Sequence, residues 1–155
     1  MQLEEIGDRL AIMDVLHRYT RVVDRGELEG LFDIFTDDGR FRIVDLPSGD
    51  RDFSISEFAA YLADTFLACN FMQHFMNNTL IELSGDQAQA DSYLAVMYEL
   101  KPGLTSAAFG SFDQASDLFL GGEYRDDLRR TADGWRIKTR TARFFSQRVR
   151  PIEAS

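Results

Sequence analysis

Cysteine is nearly missing from this chain: Cys69 is the only one in 155 residues. No internal disulfide can form, and no zinc–thiolate cluster can be built. Positive charge is also in short supply. Against 26 Asp and Glu stand 17 Lys and Arg, for a net charge of -9. Nucleic acid, whose phosphates need a basic surface, is excluded as a partner, and so are anionic membrane surfaces. No apolar run approaches the roughly 18 residues of a membrane span. The opening MQLEEIGDRLAIMDVL carries acids where a secretory leader would carry bases. A cytoplasmic location is the expectation that follows.

The familiar chemical motifs are lacking too. There is no Gly-rich phosphate loop, no paired-histidine metal motif and no nucleophile elbow. Gly110-Ser111-Phe112 lacks the strand–turn–helix setting of an elbow. Asp37-Asp38, Asp126-Asp127 and Asp113/Asp117 fall in turns or at strand ends, with no histidine beside them in sequence. Neither a metal nor any other cofactor is expected.

What the chain does have is aromatic side chains: 13 Phe, 5 Tyr and 1 Trp, or 12% of the residues. A domain this small either packs those rings solidly or lines a cavity with some of them. Length and a 45% hydrophobic share fit a single folded domain over residues 1–155. The stretch 101–116, rich in Gly, Ser and Ala, reads as a flexible loop, and residues from about Arg148 read as a loose tail.

The first third reads as helical. Ala11, Ile12, Val15, Leu16, Tyr19, Val22 and Val23 share one arc of a helical wheel, with Asp14, Arg18, Arg21 and Arg25 opposite. Gly26 ends that helix. A short helix follows over Leu28–Phe35, Thr36-Asp37-Asp38-Gly39 reads as a turn, and Phe41–Val44 as a short strand. Ser54 or Ser56 caps a third helix that buries Phe58, Tyr61, Leu62 and Phe66. Four long strands come next, over about Met72–Leu83, Gln87–Leu100, Asp117–Arg130 and Trp135–Gln147, with turns at Ser84-Gly85-Asp86 and Thr131–Gly134. Helices followed by antiparallel strands mean α+β, with the three N-terminal helices packed on one face of a strongly curved, mostly antiparallel sheet. Strands apolar on both faces, such as Ser92–Tyr98, suit a sheet curled around a pocket. The outer face then needs a second subunit, so a homodimer or homotrimer is expected.

Few residues can do acid–base work near neutral pH. Of the two histidines, His17 lies at the edge of the apolar arc, where a surface or interface position is expected. His74 sits mid-strand in Met72-Gln73-His74-Phe75-Met76, either as a core histidine or as a general base. Asp24 closes the first helix near the negative end of its dipole, where a carboxylate needs solvent or a compensating partner. It reads as an ordinary helix-end acid, or as the group that orients His74. Tyr19, on the other flank of the same arc, is either core or a hydrogen-bond donor to a ligand oxygen. On the last strand, alternation places Arg140 opposite Trp135 and Ile137, with Arg143 on their side; a bulge would exchange the two arginines.

These residues resemble a known family. Ile12-x-Asp14-Val15-Leu16-x-Arg18-Tyr19, Val23–Leu28, Phe35–Gly39, Gln73–Asn78, and Gly122–Arg130 followed by Asp133–Ile137 resemble SnoaL-like proteins of the nuclear transport factor 2-like superfamily, in order along nearly the whole chain. The resemblance implies a cone-shaped α+β barrel. Its nearest pattern is that of the cofactor-free lyases: scytalone dehydratase, bile acid 7α-dehydratase and lindane dehydrochlorinase. That implies a dyad of Asp24 and His74 with Tyr19 assisting at a substrate oxygen, and a cavity arginine at Arg140. Tyr93, Phe41 and Met76 are expected to bind substrate in an apolar pocket. The chain departs from the bile acid enzyme near Val96, where a second carboxylate would fall. The implied activity is a lyase or isomerase acting on a small hydrophobic, cyclic substrate. The alternatives are an accessory subunit of the same fold, such as a dioxygenase small subunit, and a steroid-isomerase-like or polyketide cyclase enzyme with Asp24 as base.

Overall fold

The structure, a computed structural model, describes residues 2–46, 49–106, 108 and 110–153. Helix α1 (Leu3–Arg25) buries Ile12, Val15, Leu16, Tyr19 and Val23 along one stripe. Its end is set by Gly26 at φ 69°, a left-handed conformation that glycine adopts without steric cost, with its N–H donating to the carbonyls of Val22 and Val23. The expected second helix is split into a 3-10 turn over Leu28–Gly30 and a single α-turn, α2 (Leu31–Ile34). Helix α3 (Ile55–Leu67) starts at Ser54, whose hydroxyl accepts from the Glu57 N–H at 3.3 Å while Glu57 accepts from the Ser54 N–H at 2.8 Å. This reciprocal capping decides between the two serines.

The strands are β1 (Phe35–Val44), β2 (Arg51–Ser54), β3 (Cys69–Ser84), β4 (Gln87–Leu100), the two-residue β5 (Thr105–Ser106) and β6 (Gly110–Ser111), β7 (Ser116–Thr131) and β8 (Gly134–Pro151). Six of them form one sheet in the order β2-β1-β8-β7-β4-β3. All neighbours are antiparallel except β1 and β8, which run parallel. The curled inner face meets α1 and α3, so the architecture is the expected α+β barrel. Residues alternate strictly along β4, with Ala88, Ala90, Ser92, Leu94, Val96, Tyr98 and Leu100 buried.

Three sequence readings need correction. Thr36–Gly39 is not a turn but the irregular opening of β1: the pairing with β8 slips between Phe35 and Arg40. Gly39 makes that possible, since a Cβ there would lie 2.8 Å from the Thr36 carbonyl oxygen and 2.9 Å from the Phe35 Cβ. The chain from Arg148 is not loose. Strand β8 continues to Pro151 opposite Ser116, Arg150 pairs with Asp117 at 2.7 Å, and the Ile152 N–H donates to Ala115. The 101–116 segment carries the β5–β6 hairpin, closed by the Gly103 N–H donating to the Phe112 carbonyl. Ala107 and Phe109 of that segment lie outside the described residues, as do Ala154 and Ser155 of the tail.

Two β-bulges in β8 decide what the inner face carries. Asp127 pairs with Thr139 but Leu128 with Ile137, leaving Lys138 as an extra residue; Gly121 pairs with Ser146 but Gly122 with Phe144, leaving Phe145 extra. The first bulge brings Arg140 to the inner face with Trp135 and Ile137; the second turns Gln147 toward the interior. Gly122 permits the second bend, because a Cβ there would fall 2.2 Å from the Arg143 carbonyl oxygen. Among the described residues no helix is long and apolar enough to cross a membrane.

Candidate functional site

The end of α1 and the middle of β3 bring Asp24 and His74 together. The His74 ring approaches through Nδ1, 2.6 Å from Asp24 Oδ1. The His74 backbone N–H also donates to the same carboxylate, at 3.1 Å to Oδ1 and 3.0 Å to Oδ2. An acid at the negative end of a helix needs compensation, and these N–H groups supply it. Because an ionised carboxylate only accepts, the proton of neutral His74 sits on Nδ1 and the lone pair on Nε2. The side chains are largely shielded, His74 at 6% and Asp24 at 18% exposure.

His74 forms part of the wall of a cavity of about 280 Å³ inside the curled sheet. Phe41 and Ile43 of β1 make one side, and Phe58, Tyr61, Leu62 and Thr65 of α3 the roof. Tyr98 of β4, Leu120 and Tyr124 of β7, and Phe144 and Gln147 of β8 complete the sheet side, with Leu46, Arg51 and Ala108 toward the rim. Phe41 and Phe58 stack at 3.7 Å between ring centroids. Tyr19 reaches in from α1, its ring edge-on to His74 at 6.5 Å and stacked over Phe41 at 6.3 Å. Burial drives the Tyr19 and Tyr98 phenols well above their ordinary range and pushes Tyr124 up to about 12. All three are therefore neutral hydrogen-bond donors at physiological pH.

Of the residues named from sequence, Asp24, His74, Tyr19 and Phe41 converge here; three others do not reach the cavity. Tyr93 points out of the sheet, 60% exposed, because it alternates with buried Leu94 on β4. Met76 shares the inward parity of His74 but lies beyond the end of the cavity, against the core and an outer groove beside α1. Arg140 is fully buried, yet lies behind the cavity wall. Its guanidinium forms a two-pronged pair with Asp126, both contacts 2.7 Å, and lies 4.1 Å from the Tyr19 ring and 4.2 Å from the Tyr124 ring. The first bulge is the physical reason for this inversion. Arg143 is outside, 2.6 Å from Asp45. His17 is exposed.

Sequence reading missed Tyr98, Tyr124, Arg51 and Gln147 as wall residues. The first two carried a usable signal: Tyr98 keeps step with Leu94 and Val96, and Tyr124 with Leu118 and Leu120, the buried parity of their strands. Gln147 had none, since its direction depends on the second bulge. Among the described residues no group of three or more His, Cys, Asp or Glu side chains is placed to hold a metal ion.

Comparison with known proteins shows the family and the fold. The family model of the SnoaL-like domain matches residues 4–141. The chain is a member of the SnoaL-like family. A Mycobacterium tuberculosis relative, the uncharacterized protein Rv2910c, is 27% identical over 137 residues, spanning 88% of this SnoaL-like chain and 85% of its own length. A Novosphingobium aromaticivorans protein described as a candidate scytalone dehydratase superposes with a TM-score of 0.75 at 17% identity, covering 97% of this chain and 93% of that one. The hexachlorocyclohexane dehydrochlorinase LinA, type 2, gives 0.73 at 18% identity, covering 99% and 94%. The fold of this SnoaL-like domain is thus the nuclear transport factor 2-like one, shared with both of those structures.

Proposed function

We propose that this SnoaL-like protein is a cofactor-independent lyase or isomerase that removes a proton from a small hydrophobic, cyclic substrate. The observation that carries the reading is the 2.6 Å contact of His74 Nδ1 with Asp24 on the wall of an apolar cavity. Asp24 fixes the tautomer, so Nε2 of His74 is the base, and the imidazolium that forms is stabilised where it forms. A hydroxyl from the tyrosine wall assists the leaving oxygen, or holds an enolate where the substrate carries a carbonyl. A proton taken from carbon and a leaving group expelled from its neighbour balance the elimination with no redox partner. Isomerisation and cyclisation begin with the same proton transfer.

Asp24 is poorly placed to be the base itself, since both its oxygens face His74 and it does not line the cavity. The open interior favours catalysis over an accessory role, for which a filled cone is expected. A volume of about 280 Å³ lies at the small end of ligand pockets, ~300–1,000 Å³, and suits one or two rings. The same reading includes a homodimer or homotrimer closed over the outer sheet face, where Phe75, Tyr93, Met97, Phe119 and Phe145 are exposed.

The test is incubation with cyclic β-hydroxy ketones and polychlorinated cyclohexanes in D₂O, reading loss of water or chloride and deuterium uptake at carbon. His74→Ala and Asp24→Asn should each reduce the rate by ~10²–10⁴-fold. Activity surviving in His74→Ala but lost in Asp24→Asn would move the base to Asp24.

A further inference from the structure

The charge on the cavity wall runs against that of the chain. Among the described residues the wall takes no Asp, Glu or Lys, and its one arginine is Arg51. In the whole chain 26 acids outnumber 17 Lys and Arg. Arg51 opens β2 and pairs with Ile43 of β1, so the two side chains share a face of the sheet, and Ile43 is buried on the cavity side. The guanidinium carbon lies 5.7 Å from the centroid of the Tyr61 ring, itself part of the roof. Phe53, two residues further along β2, packs on that ring at 5.1 Å and holds the strand against α3.

Strands β2 and β3 are the two edges of the six-stranded sheet, and α3 lies between them in the chain. Arg51 and His74 therefore join the cavity wall from opposite edges. Behind His74 stands the Asp24 carboxylate, 2.6 Å from Nδ1. A ligand with an anionic group is repelled from the dyad end and drawn to the Arg51 end, which orients it. Arg51 is half-buried, so an anion beside it keeps part of its hydration while the rings of the ligand go inside. Arg51 has further interactions within the protein; with five N–H donors it can keep them and still present a pair to a carboxylate. Asp64, the acid that acts on Tyr61, is not part of the wall.

We propose that Arg51 is a specificity-determining residue that binds a carboxylate of the substrate. The substrate class is then a ring acid: one or two rings with the abstracted proton near His74 and a carboxylate at the opposite end. This rests on the dyad reading for the chemistry, whereas the anion site itself is a matter of binding. The carboxylate takes no part in bond breaking; it sets which ring carbon faces Nε2 of His74.

Naphthalene-2-carboxylate and naphthalene-2-carboxamide, alike in shape and different in charge, test this on the full chain by NMR titration. The carboxylate should bind ~10–100-fold tighter than the amide. Arg51→Met should remove that preference, and Arg51→Lys, which keeps the charge without the planar fork, should retain part of it. Arg125→Met, at an exposed arginine that pairs with Asp91, should leave the preference unchanged. So should His74→Ala, which removes the competing cation, a protonated imidazole. Equal binding of the two probes, a preference that survives Arg51→Met, or one lost in His74→Ala or Arg125→Met overturns the proposal. A protein that shows the preference but turns over no cyclic β-hydroxy ketone, with or without a carboxylate, loses the elimination reading and keeps the anion site. Turnover without the preference does the reverse.

Discussion

Replacing Asp126 by Asn strikes the most concentrated electrostatic feature of the protein. Asp126 and Arg140 are both fully buried, joined by two contacts of 2.7 Å. The variant leaves the guanidinium charge in place with its carboxylate gone, and breaking a buried pair in this way costs ~3–5 kcal/mol. Removing both partners, as in Arg140→Met/Asp126→Leu, works differently. Exchange of a buried pair for apolar groups is often neutral or stabilising by ~1–4 kcal/mol, and the two lost ring contacts of Arg140 offset that by up to ~2 kcal/mol each. The double variant should therefore lie within about 2 kcal/mol of the parent, and the two sites should be strongly non-additive. At roughly 2–4 °C per kcal/mol for a chain of this size, Asp126→Asn should lower Tm by ~6–20 °C. Urea unfolding followed by fluorescence of Trp135, the single tryptophan and 4% exposed, gives the free energies directly. A loss below about 1 kcal/mol in Asp126→Asn, or additive single effects, would refute the reasoning.

Three further outcomes are expected. Gly122→Ala should destabilise by ~1–3 kcal/mol in the same urea assay, because its Cβ would meet the Arg143 carbonyl oxygen at 2.2 Å where the backbone cannot yield. The Lys138 ammonium, and next the Thr36 hydroxyl, hold the Asp38 carboxyl down to about 2 from its ordinary 3.8. Its native contacts to β8 therefore contribute above the ordinary value and are lost as the pH falls through about 2; a carboxyl ¹³C titration should show that midpoint, moving upward in Lys138→Ala. Phe145→Glu places a charge on the outer sheet face, where Phe145 is 59% exposed, and sedimentation should show a shift toward monomer with the fold intact by circular dichroism. An unchanged sedimentation profile would remove that face as the subunit contact.

Much of the fold follows from patterns a reader can see in the chain. The apolar arc of α1 and its glycine stop, the Ser54–Glu57 capping signal and the period-2 runs of β4 and β7 are local, so neighbouring residues suffice to specify them. The pairing of Asp24 with His74 was legible only as a chemical oddity at each position, an acid at the wrong end of a helix and a histidine in an apolar strand. Resemblance joined the two, and the contact itself spans 50 residues of sequence. The direction of the last strand's side chains was not legible at all. Strict alternation puts Arg140 outside and Arg143 inside, and one extra residue at Lys138 reverses both. A bulge is a mismatch between two strands, so neither strand's sequence announces it.

The sequence by itself therefore determined the long helices, the four long strands, the acid–base residues available to the chain and the absence of an internal disulfide, because those depend on composition and short-range pattern. Tertiary structure alone decided which side chains line the cavity and which support it from behind. Tyr93 and Tyr124 are the same residue type on adjacent strands, yet one faces outward and the other lies between a buried arginine and the cavity. Strand parity, bulge position and the curl of the sheet set that difference, and each is a property of how the strands meet.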